Sequence, residues 1–413
     1  MRIAFIVASQ MYPDNIGGAE IFTFRIASEL SKRGYEVYIV AFEGEKFKRK
    51  KIGNLILYGT ASKKLAKIIK EKSKLLTRIM MTYHLMKIKP DICIAVMLHS
   101  VIPAYIYSKI FRKKLIIRYS GGDVHLLLTG EKRLVRYVKE YLVAKIFFTL
   151  VKDKVTQIAL SRDMKKDLLK LGAKSDKIIL IPNPIDKEFF KIEPNYEGNV
   201  IGFLGRLIER KGIRTLVEAF KMLTEKFEDL KLILIGDGPL RKSIVKEIKN
   251  TKLESKITIT GYKPYSEIPK MLEKLSIFVL PSHYGEGLSN ALLQAMAAKL
   301  PIITTKIRGA TDLITNGYNG ILVPPKEPSK LSKAIEILLR DKELAKKLGK
   351  NAYKIAQKYS IERIVREYEK ILKRTFIDDK ISIHNADKTI YLQDGYLKEI
   401  KAEVVKNEET KSY

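Results

Sequence analysis

Two consecutive series of short apolar segments, each followed by a helical pattern, run through the 413-residue sequence. The first series begins with the strand pattern Arg2–Ala8 and the helical pattern Ala19–Arg33, and the second with Val200–Leu204 and Ile213–Lys226. Such alternation predicts parallel strands joined by crossover helices. With 46% hydrophobic residues, the chain can fill two cores. We therefore expect an α/β protein with two doubly wound, Rossmann-like domains that face a cleft.

The segment 181–186 separates the two series. It reads Ile-Pro-Asn-Pro-Ile-Asp, and each proline pushes the residue before it out of the helical region. We predict a hinge here, between a first domain over residues 1–184 and a second over 185–358. A final helix-rich span includes residues 359–377 and ends in a charged tail over 378–413.

Basic residues outnumber acidic ones by 78 to 46, which gives a net charge of +32. A basic surface attracts anionic membranes, nucleic acid or phosphorylated ligands. The alternative is a solvated lysine-rich surface, because lysines occur along the whole chain. The segment 62–89 is more specific, since nine Lys or Arg accompany one acid, Glu71, and apolar residues recur at helical spacing. It predicts an amphipathic helix that packs on a sheet or contacts a membrane.

The single cysteine, Cys93, excludes an intrachain disulfide and suits a reducing cytoplasm. We expect it to be a buried apolar side chain.

The stretch 92–108 is uncharged and reaches the lower length limit for a membrane span. Because it contains His99, Ser100 and Pro103, we interpret it as a strand followed by a helix of a soluble protein. Met1–Ser9 is interpreted as a strand and not as a signal peptide.

A glycine pair, Gly17 and Gly18, lies between the first strand and its helix. Adjacent glycines let the backbone approach a ligand, and a helix N-terminus offers free N–H groups and a positive dipole. The pair is either a phosphate or substrate contact or only a turn. It lacks the G-x-G-x-x-G spacing, which argues against a nicotinamide enzyme.

Two cations, Arg206 and Lys211, follow the strand that ends before Gly205. Arginine can bind phosphate oxygens through two N–H groups, and lysine supplies a compact charge, so together they could hold a diphosphate. By itself the segment could equally be a solvated basic turn. Another strand-to-helix turn, Gly236–Arg241, is explained by backbone geometry alone, with Pro239 at the first helical position.

A carboxylate between two glycines, Glu286, follows a further strand pattern and precedes a helix that begins at Asn290. Ligands bind at this carboxyl edge of parallel sheets. Glu286 can accept hydrogen bonds from sugar hydroxyls, and Gln294 can both donate to and accept from hydroxyls. The free N–H groups at the helix start are expected to face the anionic part of a ligand. The residues around that start are Gly287, Leu288, Ser289 and Asn290.

In this order, the motifs resemble the retaining glycosyltransferases of family 4, which have the GT-B architecture. The resemblance covers roughly residues 1–375. The family's E-x7-E motif corresponds to Glu286 and Gln294, and its F-x-G-R-x-x-x-x-K-G motif to Phe203–Gly212. The resemblance also implies that the helical segment 359–377 crosses back to the first domain.

The resemblance implies a role for each matching residue. Arg206 and Lys211 would bind the donor diphosphate, and Glu286 would contact the transferred sugar. Position 294 would meet the ribose and Tyr262 the base, while Gly17 and Gly18 look like the glycine loop of the amino-terminal domain.

Two positions depart from the family pattern. Gln294 stands where the second motif glutamate is usual, which removes a charge but keeps hydrogen-bonding capacity. Ser120 stands where the family often has the histidine of a His-Gly-x-Asp stretch. His99 is a candidate substitute, with a packing role as the alternative, and His125 is a weaker one.

The resulting hypothesis is retaining transfer of a sugar from a UDP- or GDP-type donor to a hydroxyl of a glycan or lipid-linked acceptor. No cofactor and no metal are expected, because no Asp-x-Asp pair follows a strand and the cations would take the metal's role. The protein would be cytoplasmic or peripheral on the inner face of the cell membrane.

Two alternatives remain: a nucleotide-sugar 2-epimerase of the same fold, and a non-catalytic basic protein that binds nucleic acid. No recognised nucleic-acid module accompanies the charge, so nucleic acid is not expected as a partner.

Overall fold

The structure, a computed structural model, describes residues 1–10, 18–43, 49–61, 74–97, 100–120, 124, 127, 138–249, 251, 253–285, 287–377, 388–393 and 396–401. Residues Met1–Arg366 form one compact unit and Glu367–Tyr413 another. Among these residues, no helix combines the length and apolar character that a membrane span requires.

The first half of the larger unit is built on an eight-stranded sheet in the order β3-β4-β2-β1-β5-β6-β7-β8. Neighbouring strands are parallel, except that β3 runs antiparallel to β4 at one edge. The strands are β1 Arg2–Gln10, β2 Glu36–Glu43, β3 Arg49–Ile52, β4 Leu55–Ala61, β5 Ile92–Val96, β6 Lys114–Arg118, β7 Thr156–Ala159 and β8 Ile178–Leu180.

Five described helices accompany this sheet: α1 Gly18–Lys32, α2 Lys74–Ile88, α3 Val101–Ile110, α4 Val138–Val151 and α5 Arg162–Lys170. Helix α1 shows why the sequence folds this way, because Phe22, Ile26 and Leu30 recur four residues apart and are all buried. The central strand β5 is buried along its whole length. Strands of a sheet covered on both faces are uniformly apolar, as this one is.

The second half is built on a six-stranded parallel sheet in the order β11-β10-β9-β12-β13-β14. Its strands are β9 Val200–Leu204, β10 Lys231–Ile235, β11 Ile257–Ile259, β12 Ile277–Leu280, β13 Ile302–Thr305 and β14 Ile321–Val323. Its helices are α6 Ile213–Leu223, α7 Arg241–Ile248, α8 Ile268–Leu272, α9 Asn290–Ala297, α10 Pro328–Arg340 and α11 Lys342–Ala356. Strand β9 lies centrally, so the loop after it is flanked by the loops after β10 and β12.

The predicted hinge segment pairs with the chain where it leaves the second half. Ile185 N–H donates to Tyr359 O at 2.8 Å, and Ile361 N–H donates to Ile185 O at 2.9 Å. The next helix, α12, spans Ile361–Ile377, and near its start Arg33 Nη2 lies 3.4 Å from Glu362 O. The chain therefore enters and leaves the second half side by side. The exact domain limits stay predictions.

The smaller unit contains a feature that the sequence analysis did not predict. Strands β15 Lys388–Gln393 and β16 Tyr396–Lys401 form an antiparallel hairpin within the segment interpreted as a charged tail.

The predicted α/β architecture with two parallel sheets is confirmed, and β9 has the predicted limits Val200–Leu204. The uncharged stretch 92–108 is a strand followed by a helix, as interpreted, and Cys93 is fully buried. Burial raises the pKa of the Cys93 thiol to about 12, which leaves it protonated and unreactive. Of the basic segment 62–89, residues 62–73 lie outside the described residues, and Lys74–Ile88 is the helix α2.

Candidate functional site

The loop after β9 contains the two predicted donor cations. The Arg206 side chain is exposed, and within the described part of the chain it makes no hydrogen bond or ion pair. The Lys211 side chain is half-buried and bends back toward Gly205, so that its Cε lies 3.9 Å from where a Cβ on Gly205 would be. Both cations therefore lie on one short loop at the carboxyl edge of the sheet. We call this segment, residues 205–212, the cation loop.

Backbone hydrogen bonds connect the cation loop to both neighbouring loops. Leu207 N–H donates to Asp237 O at 2.9 Å, and Leu240 N–H donates to Leu207 O at 3.1 Å. On the other side, His283 N–H donates to Arg210 O at 2.8 Å. The loops after β9, β10 and β12 thus form one hydrogen-bonded edge, which limits the freedom of the cation loop.

Gly212 sets the distance between the cation loop and the loop after β12. Its φ is +69°, and a Cβ there would lie 1.9 Å from Pro281 O, so only glycine fits this position. Beside it, Thr215 Oγ1 and His283 Nε2 are 2.9 Å apart. Burial and the charge of Lys326 lower the pKa of His283, which keeps the imidazole neutral and able to share this hydrogen bond.

Helix α9 begins beside these loops at Asn290. Ser289 occupies the N-cap position, but its side chain makes no capping hydrogen bond, so N–H groups of the first turn lack a side-chain partner there. Leu288 and Ser289 are buried, and Gly287 and Asn290 are half-buried. Glu286 lies outside the described residues. The helix start therefore has the polarity expected of an anion site.

The amino-terminal glycine loop faces this helix start. Gly18 is the first residue of α1, and a Cβ on it would lie 2.7 Å from Asn290 Nδ2. The N-termini of α1 and α9, from the two halves, therefore approach each other so closely that a larger side chain at position 18 would require the Asn290 amide to shift. Of the predicted amino-terminal residues, Gly17, His99 and His125 lie outside the described residues.

Tyr262 lies at the far side of this edge, after β11. Its side chain is exposed, and Gly261 before it approaches Asp237 and Arg241, which form an ion pair of 3.0 Å. The predicted contact of Tyr262 with a base stays a prediction.

The sequence matches two known families over nearly all of this architecture. Residues 184–355 match the family described as "Glycosyl transferases group 1", and residues 16–189 match "Glycosyltransferase Family 4". An uncharacterized glycosyltransferase of Methanocaldococcus jannaschii is 31% identical over 252 residues, which cover 60% of this chain and 67% of that protein. The chain belongs to the group 1 glycosyltransferases of family 4.

One further relative and one solved structure extend the similarity over most of the glycosyltransferase. The capsular polysaccharide biosynthesis glycosyltransferase CapM of Staphylococcus aureus is 26% identical over 362 residues, 85% of this chain and 92% of its own. The crystal structure of HepE from Anabaena in complex with UDP has a TM-score of 0.70 at 19% identity, covering 91% of this chain and 100% of that one. The fold is therefore GT-B, as the resemblance implied.

Gln294 of the glycosyltransferase lies in a buried cluster that joins the two halves. Its side chain, 7% exposed, is next to the hydroxyl of Tyr265, which also faces the Asp186 carboxyl without hydrogen-bond geometry to any described group. Arg25 of α1 lies over the Tyr265 ring, with Cζ 4.9 Å from the centroid, and its Nε is 3.2 Å from Asp186 Oδ2. Burial raises the pKa of both Tyr265 and Asp186. We call these four residues the Tyr265 cluster.

An additional carboxylate in the Tyr265 cluster should destabilise the folded protein. The substitution Gln294→Glu would test this. Two carboxyls sharing a buried site raise each other's pKa. A raised folded pKa means that the folded state binds more protons, so stability falls as the pH rises. We expect a loss of about 1–3 kcal/mol at neutral pH, with a deficit relative to wild type that is larger at pH 8 than at pH 5. Urea unfolding at both pH values would measure it.

Gln294→Met is the matched control, because it has a similar volume and no titratable group. Its deficit should not change with pH. A Gln294→Glu protein as stable as wild type at pH 8 would contradict the expectation and would indicate that Arg25 neutralises the added charge. The predicted contact of Gln294 with a ribose stays a prediction.

Arg118 is a residue of this site that the sequence analysis missed. It ends β6, is 1% exposed, and donates from Nη2 to Asn183 Oδ1. Asn183 Nδ2 in turn donates to Asn290 Oδ1 at 2.7 Å. Among the described residues, Arg118 Nε and Nη1 have no hydrogen-bond partner. A buried guanidinium is costly without an anion, so it adds positive character to the region where α1 and α9 meet.

A signal for Arg118 was present in the sequence. In Lys-Leu-Ile-Ile-Arg the last residue is a charge at the carboxyl end of an otherwise apolar strand. Its link to Asn290 was not visible, because 172 positions separate the two residues and the hinge residue Asn183 connects them.

Proposed function

We propose that this glycosyltransferase transfers a sugar from a UDP- or GDP-type sugar nucleotide to an acceptor hydroxyl, with retention of the anomeric configuration and without a metal ion. The observation that carries the proposal is the approach of Gly18 to Asn290 beside the hydrogen-bonded cation loop. This arrangement puts two helix N-termini and the cations Arg206 and Lys211 along one cleft edge. It supports a site for a diphosphate, whose charge all of these groups attract.

In the proposed reaction, the bond between the sugar's anomeric carbon and the diphosphate oxygen breaks, and the electron pair leaves with the nucleotide diphosphate. The acceptor oxygen forms its bond to the same face of the sugar, and its proton passes to the departing phosphate oxygen. Arg206 and Lys211 stabilise the charge that develops on the leaving group, which is the task of a metal ion in other transferases. Glu286 and His99, both outside the described residues, are proposed to contact the transferred sugar.

The relatives support the substrate classes. HepE was solved in complex with UDP, and CapM is a capsular polysaccharide biosynthesis glycosyltransferase. We propose a lipid-linked or growing surface glycan as the acceptor, and the cytoplasmic side of the cell membrane as the place of reaction.

Thermal unfolding with UDP-, GDP- and ADP-sugars tests the donor proposal. One nucleotide class should raise the Tm, because a ligand at about 100 times its Kd adds about 2.7 kcal/mol to folded-state stability. The same shift and the same transfer rate are expected with and without EDTA. Glu286→Ala should retain the nucleotide-induced shift and lose transfer.

Three outcomes would contradict the proposal. A new sugar nucleotide formed from donor alone would indicate a 2-epimerase. Salt-dependent DNA binding without any donor shift would indicate a nucleic-acid-binding protein. Transfer that EDTA abolishes and added Mg²⁺ restores would exclude the metal-independent mechanism.

A further inference from the structure

Three neighbouring helices of the first half present apolar side chains to solvent as well as to the core. In α2, Ile79 and Tyr83 are four residues apart and 55% and 62% exposed. Helix α3 repeats the pattern with Ile106 and Ile110, and α4 with Leu142 and Ile146, all six being exposed. A spacing of four residues puts each pair on one side of its helix. Each helix therefore has a second apolar stripe, in addition to the one that packs on the sheet.

Side chains of the three helices meet at one surface. A groove of about 580 Å³ is lined by side chains from all three helices, including Ile79, Tyr83, Ile106 and Phe147. Tyr105 of α3 and Phe147 of α4 meet edge to face, with ring centroids 6.0 Å apart. Contiguous exposed apolar surface of this kind marks an interaction site. We call it the three-helix face.

Exposed cations lie on the same three helices or directly after them. Lys87 on α2, Lys109 on α3, Arg112 just after α3 and Lys145 on α4 are exposed. Neither α2 nor α3 contains an acidic residue. Apolar stripes flanked by Lys and Arg are typical of helices that lie in the interface of an anionic bilayer. There the apolar side chains enter the acyl region and the cations contact lipid phosphates.

We propose that the three-helix face docks this glycosyltransferase on the surface of an anionic lipid bilayer. The inference extends the proposed function, because docking would bring the cleft to an acceptor carried by the membrane. It also extends the predicted membrane contact, because α2 supplies most of the groove lining and α3 and α4 supply the rest. The apolar groove at its centre admits the acyl chains of the lipids.

Vesicle flotation tests the proposal with a pair of matched double variants. Ile79→Glu with Ile146→Glu puts two carboxylates on the three-helix face. Val245→Glu with Ile337→Glu makes the same change at positions of the second half that are 44% and 48% exposed. All four positions are exposed, so both proteins should fold. Wild type should bind phosphatidylcholine vesicles that contain phosphatidylglycerol more tightly than phosphatidylcholine alone, and high salt should weaken this binding.

The first variant should bind the anionic vesicles about tenfold more weakly or worse, and the second should bind like wild type. Nucleotide binding, followed by thermal unfolding, should be the same in all three proteins. This measurement separates the two proposals, because a failure of the donor proposal removes the nucleotide shift and leaves flotation unchanged.

Three results would overturn the proposal: wild type that binds neither kind of vesicle, equal losses in the two variants, and binding without preference for anionic lipid. A wild-type dimer that dissociates in the first variant, with no vesicle binding, would also overturn it. That outcome would identify a second copy of the chain as the occupant of the three-helix face.

Discussion

Replacing Arg206 and Lys211 together by alanine is expected to lower kcat/KM for the sugar nucleotide by roughly 10³-fold, because preorganised charges at a leaving group contribute the largest single share of such rate enhancements. Either single change should cost roughly 10²-fold. The cation loop is held by hydrogen bonds on both sides, so its cations need no reorganisation when charge develops. Steady-state kinetics with the nucleotide class identified by thermal unfolding would measure the loss.

The matched control for this prediction is Arg210→Ala. Arg210 is exposed on the same loop, and its contact with His283 uses the backbone oxygen, which the substitution retains. The control should keep nearly full activity. If it lost as much activity as Arg206→Ala, net charge on the loop rather than the position of two cations would explain the effect.

The second large effect is expected at Gly212. In Gly212→Ala the new Cβ would lie 1.9 Å from Pro281 O, and alanine would also have to adopt a φ of +69°. The left-handed backbone costs about 1–2 kcal/mol, and overpacking adds about 1–3 kcal/mol. Because relief of the clash separates the cation loop from the loop after β12, which leads into α9, we expect lower donor affinity as well as a lower Tm.

Gly317→Ala separates the cost of the left-handed backbone from the cost of the clash. Gly317 has a φ of +75°, and a Cβ there would meet no atom within 4 Å. This variant should lose only the stability that the left-handed backbone of alanine costs, and it should keep its donor affinity. Equal stability losses in Gly212→Ala and Gly317→Ala, measured by urea unfolding, would show that the loops can separate without cost.

Most strands of the two sheets could be predicted from the sequence because they are buried on both faces. β5 and β12 are apolar at every position. The edge strand β3 could not be predicted in this way. β3 has the sequence Arg-Lys-Lys-Ile and is exposed throughout, so its strand conformation comes from antiparallel pairing with β4 and not from its own pattern.

The individual motifs of the site could also be recognised, since Gly205, Arg206, Lys211 and Gly212 follow one strand directly. What the motifs did not show was their surroundings. Nothing local indicated that Gln294 is buried beside Tyr265, or that Arg25 of α1 lies over that ring. These contacts join segments far apart in the chain, and their energies depend on burial that only the assembled halves create.

The sequence by itself determined two series of parallel strands, the carboxyl edges where ligands bind, and the residue types at those edges. These are consequences of local pattern, because strand and helix periods and glycine turns are set by neighbouring residues. Only the tertiary structure decided that Gly18 meets Asn290, that Asn183 links Arg118 to α9, and that α2, α3 and α4 share one apolar face. Such contacts depend on how the two halves and their helices pack, and no local pattern specifies the packing of segments a hundred residues apart.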